Sequence, residues 1–215
     1  MNRKAALLGC LVVVLAVAPA FSHLVDLAPS WRGDDRTTYQ NWTFDDSSSP
    51  VTLSNAAGSA SAEITVGEFG SGWWLDGLEL GQETSGYWDI GGIDGEIVLD
   101  IDNFQDGEYK LISLQITYYE AIGGKPVIDM IPGATQYEEE NWQEVIVDSD
   151  QLGVWKVWQS TWMMMPNPSH EQIILIGDPS GTIIDQVIVD TICVPEPATL
   201  GLLMMGGLAL LKKRK

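Results

Sequence analysis

Alternation with a period of two runs through the middle of the chain. In Leu111–Glu120, Ile112, Leu114, Ile116 and Tyr118 share one face, and Ser113, Gln115, Thr117 and Tyr119 share the other. That is the signature of a half-buried antiparallel strand. Glu96–Ile101 alternates likewise, with Ile97, Leu99 and Ile101 turned inward. Ala62–Val66, Glu144–Asp148, Val154–Met165, Gln172–Ile176 and Ile183–Ile192 are further runs rich in Val, Ile, Thr or Trp and read as strands. Turn signals separate them, among them Asp76-Gly77, Gly91-Gly92, Asp94-Gly95, Gly123-Gly124 and Asp178-Pro179-Ser180-Gly181. No window between residues 22 and 198 has a helical period. Many short strands with such turns predict an all-β ectodomain, an antiparallel β-sandwich.

The two ends have a different pattern. Met1–Lys4 is short and positive, and Ala5–Val17 is an unbroken apolar run. That run falls short of the roughly 20 residues that a helical span needs. Ala18 and Ala20 then place small residues where signal peptidase inspects them, so residues 1–20 are expected to form a signal helix and to be removed. Cleavage after Ser22 is an alternative. Leu7-Leu8-Gly9-Cys10 is similar to a lipoprotein box, but the long apolar run after Cys10 fits the core of an ordinary signal better. Removal of the signal leaves Cys193 alone, so no intramolecular disulfide forms and the exported fold must rely on its core.

At the other end, Val194-Pro195-Glu196-Pro197 precedes an apolar stretch from Ala198 to Leu211 and the basic Lys212-Lys213-Arg214-Lys215. The two prolines fix φ and keep the motif extended and accessible. The apolar stretch is read as a short transmembrane helix whose basic end stays on the cytoplasmic side. This order resembles the PEP-CTERM sorting signal of Gram-negative and related bacteria. The resemblance implies recognition by exosortase, a membrane-embedded sorting protease. It further implies transient anchoring in the inner membrane, cleavage near Pro195–Pro197, and release to the cell surface or exopolysaccharide matrix. A plain membrane anchor is the competing reading. The expected division is therefore signal peptide 1–20, ectodomain 21–193 and sorting signal 194–215.

Charge narrows the partners of the ectodomain. The formal charge is −19, from 11 bases and 30 acids. Only Arg32, Arg36, Lys110, Lys125 and Lys156 lie between the two end segments. Nucleic acid and anionic lipid surfaces are excluded as partners of the body, because both demand clustered bases. A disordered acidic tail is excluded as well, since the chain is 45% hydrophobic and has nine Trp.

The strand arrangement also resembles the jelly-roll, galactose-binding-like sandwiches of many carbohydrate-binding modules. Tyr39–Phe44 looks like a first strand and Gly181–Val189 like the closing one. Trp73, Trp74, Trp158 and Trp162 are candidates for stacking on sugar rings, with sandwich core as the competing role. Asp100, Asp102 and Asp106, crowded at a strand end, are candidate Ca²⁺ ligands. Asp45 and Asp46 can instead meet Asp185 across the sandwich, as structural calcium ligands do in similar jelly rolls. Solvated turn acids are the plainer alternative.

Catalysis finds little in the sequence. The mature chain has only His23 and His170, no Gly-x-Ser-x-Gly, and no zinc spacing. A glycosidase pair of carboxylates is available by chance among so many acids, so its availability decides nothing. The expected protein is thus non-catalytic, and either binds extracellular polysaccharide or builds the matrix. A carbohydrate-active hydrolase or lyase is the alternative.

Overall fold

The structure, a computed structural model, describes residues 25–54, 57–75, 86–104, 107–120, 124–137, 142–149 and 153–195. The expected signal helix and terminal transmembrane helix lie outside the described residues. Thirteen strands are described, and every pairing among them is antiparallel. They are β1 (Thr37–Trp42), β2 (Val51–Ser54), β3 (Ala60–Thr65), β4 (Gly72–Trp74), β5 (Tyr87–Asp89), β6 (Glu96–Asp102) and β7 (Tyr109–Glu120). The chain continues through β8 (Val127–Ile131), β9 (Thr135–Gln136), β10 (Trp142–Ser149), β11 (Val154–Met164), β12 (His170–Ile176) and β13 (Ile183–Val194).

The larger sheet runs β10-β11-β7-β13-β1-β2, with β5 on β13, β4 on β5 and β9 on β11. The smaller runs β3-β6-β12-β8. One hydrophobic core lies between them. The small sheet contributes Ile97, Leu99, Ile101, Met130, Ile173 and Leu175. The large sheet contributes Trp42, Ile112, Leu114, Ile116, Trp158, Val187 and Val189. Each such side chain removed from water contributes roughly 1.5–3 kcal/mol before entropy is charged against it. The inward rows of β6 and β7 are the ones that alternation predicts. Gly91 serves the loops at one end. Its φ is +71°, and a Cβ there would lie 2.4 Å from the backbone nitrogen of Gly70.

The outer face of the large sheet departs from the sequence reading. Ser113, Gln115, Thr117 and Tyr119 are expected to face solvent, yet all four are buried. Two separate covers explain this. Tyr119, Trp155 and Tyr87 form a second apolar cluster, with Tyr119 and Trp155 ring centroids 5.1 Å apart. Beyond it, residues 25–32 cross the same face as a strap. A segment remote in sequence thus turns a one-sided sheet into a two-sided one.

A cleft under the N-terminal strap

The strap begins a few residues past the expected signal cleavage site. Register aligns Gln143 on β10 with Gln159 on β11, and Gln159 with Gln115 on β7. These glutamines form a ladder across three strands, on the polar parity of each. Gln143 Nε2 donates to Gln159 Oε1 at 2.7 Å. Gln159 Nε2 donates to Leu27 O and, at 2.9 Å, to Ser113 Oγ. Gln115 accepts from Leu27 N at 2.7 Å and donates to Val25 O. An extended backbone without a strand partner thus has its polar groups satisfied by side-chain amides, as burial requires.

Arg32 closes the far end of the strap. Its Nε and Nη2 donate to the two oxygens of Asp190, each at 2.6 Å, and Nη1 donates to Asp26. The guanidinium also stacks 4.5 Å from the Tyr39 ring centroid. Burial pushes the Asp190 carboxyl up, against the pull of Arg32. The planar fork matches a carboxylate at both oxygens, which an ammonium cannot do.

Between strap and ladder lies an open cleft of about 610 Å³. Trp31, Asp26, Gln143, Gln159, Ser113 and Thr161 are among its lining residues. The amides donate and accept, the hydroxyls do both, Asp26 accepts, and the indole offers an apolar face. That inventory suits a polyhydroxylated ligand with alternating hydroxyl and C–H faces.

The residues singled out in the sequence take other places. Trp158 is 6% exposed and belongs to the inter-sheet core, so its role is packing rather than stacking on sugar. Lys125 Nζ covers that ring at 3.9 Å. Trp162 is half-buried against the same core. Trp73 is half-buried and donates its indole N–H to Phe44 O at 2.8 Å. Trp74 is exposed and donates to Ser71 Oγ at 2.8 Å.

Asp45, Asp46 and Asp185 separate into two settings. Asp46 caps a turn by accepting from Ser48 N at 2.6 Å, and its carboxyl is held low by Ser48. Asp185 on β13 is buried, and desolvation with the nearby Asp45 pushes its carboxyl up to about 8. Asp100 and Asp102 share the outer face of the small sheet, 3.0 and 3.4 Å from the two ring nitrogens of His170. Ser59 donates to Asp102 through backbone and hydroxyl, which lowers its carboxyl. Asp106 lies outside the described residues. Among the described residues, no three His, Cys, Asp or Glu side chains gather as a metal site.

Val194, the first residue of the sorting motif, is the last residue of β13, and its carbonyl accepts from Glu108 N at 2.9 Å. Strand β13 thus runs directly into the motif. Pro195 follows it, while Ala18, Ala20, Glu196 and Pro197 lie outside the described residues. Sequence reasoning passed over Trp31, Arg32 and the glutamine ladder. The signal was a set of glutamines and Asp190 on the polar parity of four strands, matched by an Arg outside any strand.

Neither the curated proteins nor the solved structures give a match for this chain. Its last residues do find one: residues 194–215 match the PEP-CTERM protein-sorting motif, the signal recognised by exosortase, and this motif implies export and sorting to the cell surface.

Proposed function

We propose that the exported body is a non-catalytic glycan-binding module of the cell surface or exopolysaccharide matrix, with its ligand in the cleft under the strap. The observation that carries this reading is the pairing of Trp31 with the polar row Gln143, Gln159, Ser113 and Thr161 along one open cleft. An aromatic face beside fixed amide and hydroxyl groups is the arrangement that sugar rings select. The two-sheet fold is compatible with the jelly-roll likeness, and the sorting motif supplies the location where such ligands occur.

The test uses the exported protein purified from the producing cells and the polysaccharide shed by the same cells. Binding is read by calorimetry, and reducing ends are counted in parallel. The reading expects saturable binding, a loss of about tenfold or more in Trp31→Ala, and no release of reducing ends. Each lost stacking or bidentate contact of roughly 1.4 kcal/mol corresponds to that factor. Unchanged binding in Trp31→Ala removes the cleft from the account. Release of reducing ends supports the hydrolase or lyase instead, and the absence of any binding supports a purely structural matrix subunit.

A second reading is carried by Asp185. The buried Asp185 carboxylate is costly when charged, the charge of Asp45 adds to that cost, and a divalent cation held by the two relieves both desolvation and repulsion. We place calcium there as a structural ion, with Asp45 and Asp185 as its carboxylate ligands.

A further inference from the structure

The core end nearest the sorting motif holds a charged pair that the cleft does not use. Lys110 Nζ lies 2.7 Å from both carboxylate oxygens of Glu171, and both side chains are 0% exposed. Strand parity puts them there. Lys110 continues the inward row Ile112, Leu114, Ile116 of β7, and Glu171 begins the row Ile173, Leu175 of β12. They face one another from opposite sheets.

Asn103 shares the inward face of Glu171. It extends the inward row Ile97, Leu99, Ile101 past the end of β6, and it is 7% exposed. Its Nδ2 and Oδ1 are both buried and have no hydrogen-bond partner among the described residues. Glu171 is the register partner of Ile101, which makes Asn103 its diagonal neighbour on the same face, within about 7–8 Å between Cα atoms. Asn103 N donates to Ser169 O at 3.0 Å, which fixes that register. From the other sheet, Cys193 is the register partner of Lys110, and its Sγ lies 3.4 Å from the carbonyl oxygen of Phe104, the residue after Asn103. The ion pair and the orphaned amide therefore lie on the same inward face at one end of the core.

A buried amide with neither donor nor acceptor satisfied is rare, and nothing in the packing accounts for it. We propose that Lys110 and Asn103 join in an intramolecular isopeptide bond, with Glu171 as the proton carrier. Glu171 takes a proton from the Lys110 ammonium. The neutral Nζ adds to the Asn103 Cγ, and the Nζ–Cγ bond forms. Glu171 returns its proton to the amide nitrogen, the Cγ–Nδ2 bond breaks, and ammonia leaves. Of the three ammonium hydrogens, one reaches the leaving nitrogen through Glu171, one stays on the new amide, and the third passes from the Nζ to Glu171. The ion pair and the amide thus become a secondary amide, a neutral Glu171 carboxyl and ammonia, and atoms and charge balance with no outside reagent. Burial favours the neutral forms this sequence needs, lowering the Lys110 amine and raising the Glu171 carboxyl. The product removes the orphaned Nδ2 from the core and leaves a single N–H on the new amide beside Glu171. The bond ties the crossing between the two sheets, from the end of β6 to the start of β7, where β13 leads into the sorting motif.

The experiment is intact-mass and tryptic peptide analysis of the exported protein purified from the producing cells, beside Asn103→Ala and Glu171→Gln. The expected wild-type protein is lighter by one ammonia and yields no tryptic peptide beginning at Leu111, because an acylated Lys110 resists trypsin. Asn103→Ala restores the full mass and that peptide, and Glu171→Gln does the same if it folds. Wild-type protein at full mass with a Leu111 peptide overturns the proposal. Ammonia loss that survives in Asn103→Ala overturns it too. Since Asn103→Ala removes only an unpartnered amide and leaves the Lys110–Glu171 pair intact, it decides the matter even where Glu171→Gln fails to fold.

Discussion

Arg32 and Asp190 are joined by two parallel hydrogen bonds of 2.6 Å, and these bind the N-terminal strap to β13. Asp190 is 1% exposed, while the Arg32 side chain is 22% exposed. Arg32→Ala would leave a buried carboxylate without its cation. It is expected to lower stability by about 2–4 kcal/mol at neutral pH, near the range for breaking a buried pair. Arg32→Lys should recover little, because one ammonium cannot serve both oxygens. Urea denaturation of the three proteins measures this, and equal midpoints would show that the strap contributes nothing.

Asp185 sets a pH dependence with a definite sign. Its folded-state value of about 8 lies above the ordinary 3.8, so the folded chain keeps a proton that the unfolded chain releases. Stability therefore falls as pH rises from about 4 through about 8, by on the order of 4–5 kcal/mol if the burial is maintained. Asp185→Asn should flatten that slope and be the more stable protein at pH 8. Denaturation midpoints at pH 5 and pH 8 read the slope directly.

Calcium at the proposed site acts on the same group. Millimolar Ca²⁺ should raise the wild-type midpoint at pH 8 by mass action on the folded state. Asp185→Asn should respond far less. A wild-type midpoint unmoved by Ca²⁺ sinks the calcium reading and leaves the pH slope standing.

Two tryptophans separate packing from surface. Trp155 is 0% exposed between Tyr87 and Tyr119, and Trp74 is 39% exposed. Trp155→Ala should cost roughly 3–5 kcal/mol through the cavity it leaves. Trp74→Ala should stay within about 0.5 kcal/mol, as surface changes do. Comparable losses in the two variants would contradict the burial described.

Strand parity made half of this molecule legible from the sequence. Ile97, Leu99 and Ile101 point into the core as alternation says, and so do Ile112, Leu114, Ile116 and Tyr118. Parity also held a clue that went unread, since Lys110 and Glu171 sit in frame with those apolar rows. The short strands β4, β5, β8 and β9 escaped notice because two to five residues carry too little period. Trp158 looked like a sugar platform because a sequence shows which face a side chain takes but not what covers that face. The cleft was hidden for the same reason. Gln115 reads as solvent-facing until the strap, far away in the chain, lies over it.

Fractionation of the producing cells tests most directly whether the chain ends govern the fate of this body. The measurement follows the wild-type protein and a variant with Pro195, Glu196 and Pro197 all changed to Ala, by immunoblot of membrane, surface and medium. The account predicts a processed wild-type body at the surface or in the matrix, and a variant held unprocessed in the membrane fraction. Identical size and distribution of the two proteins would contradict it.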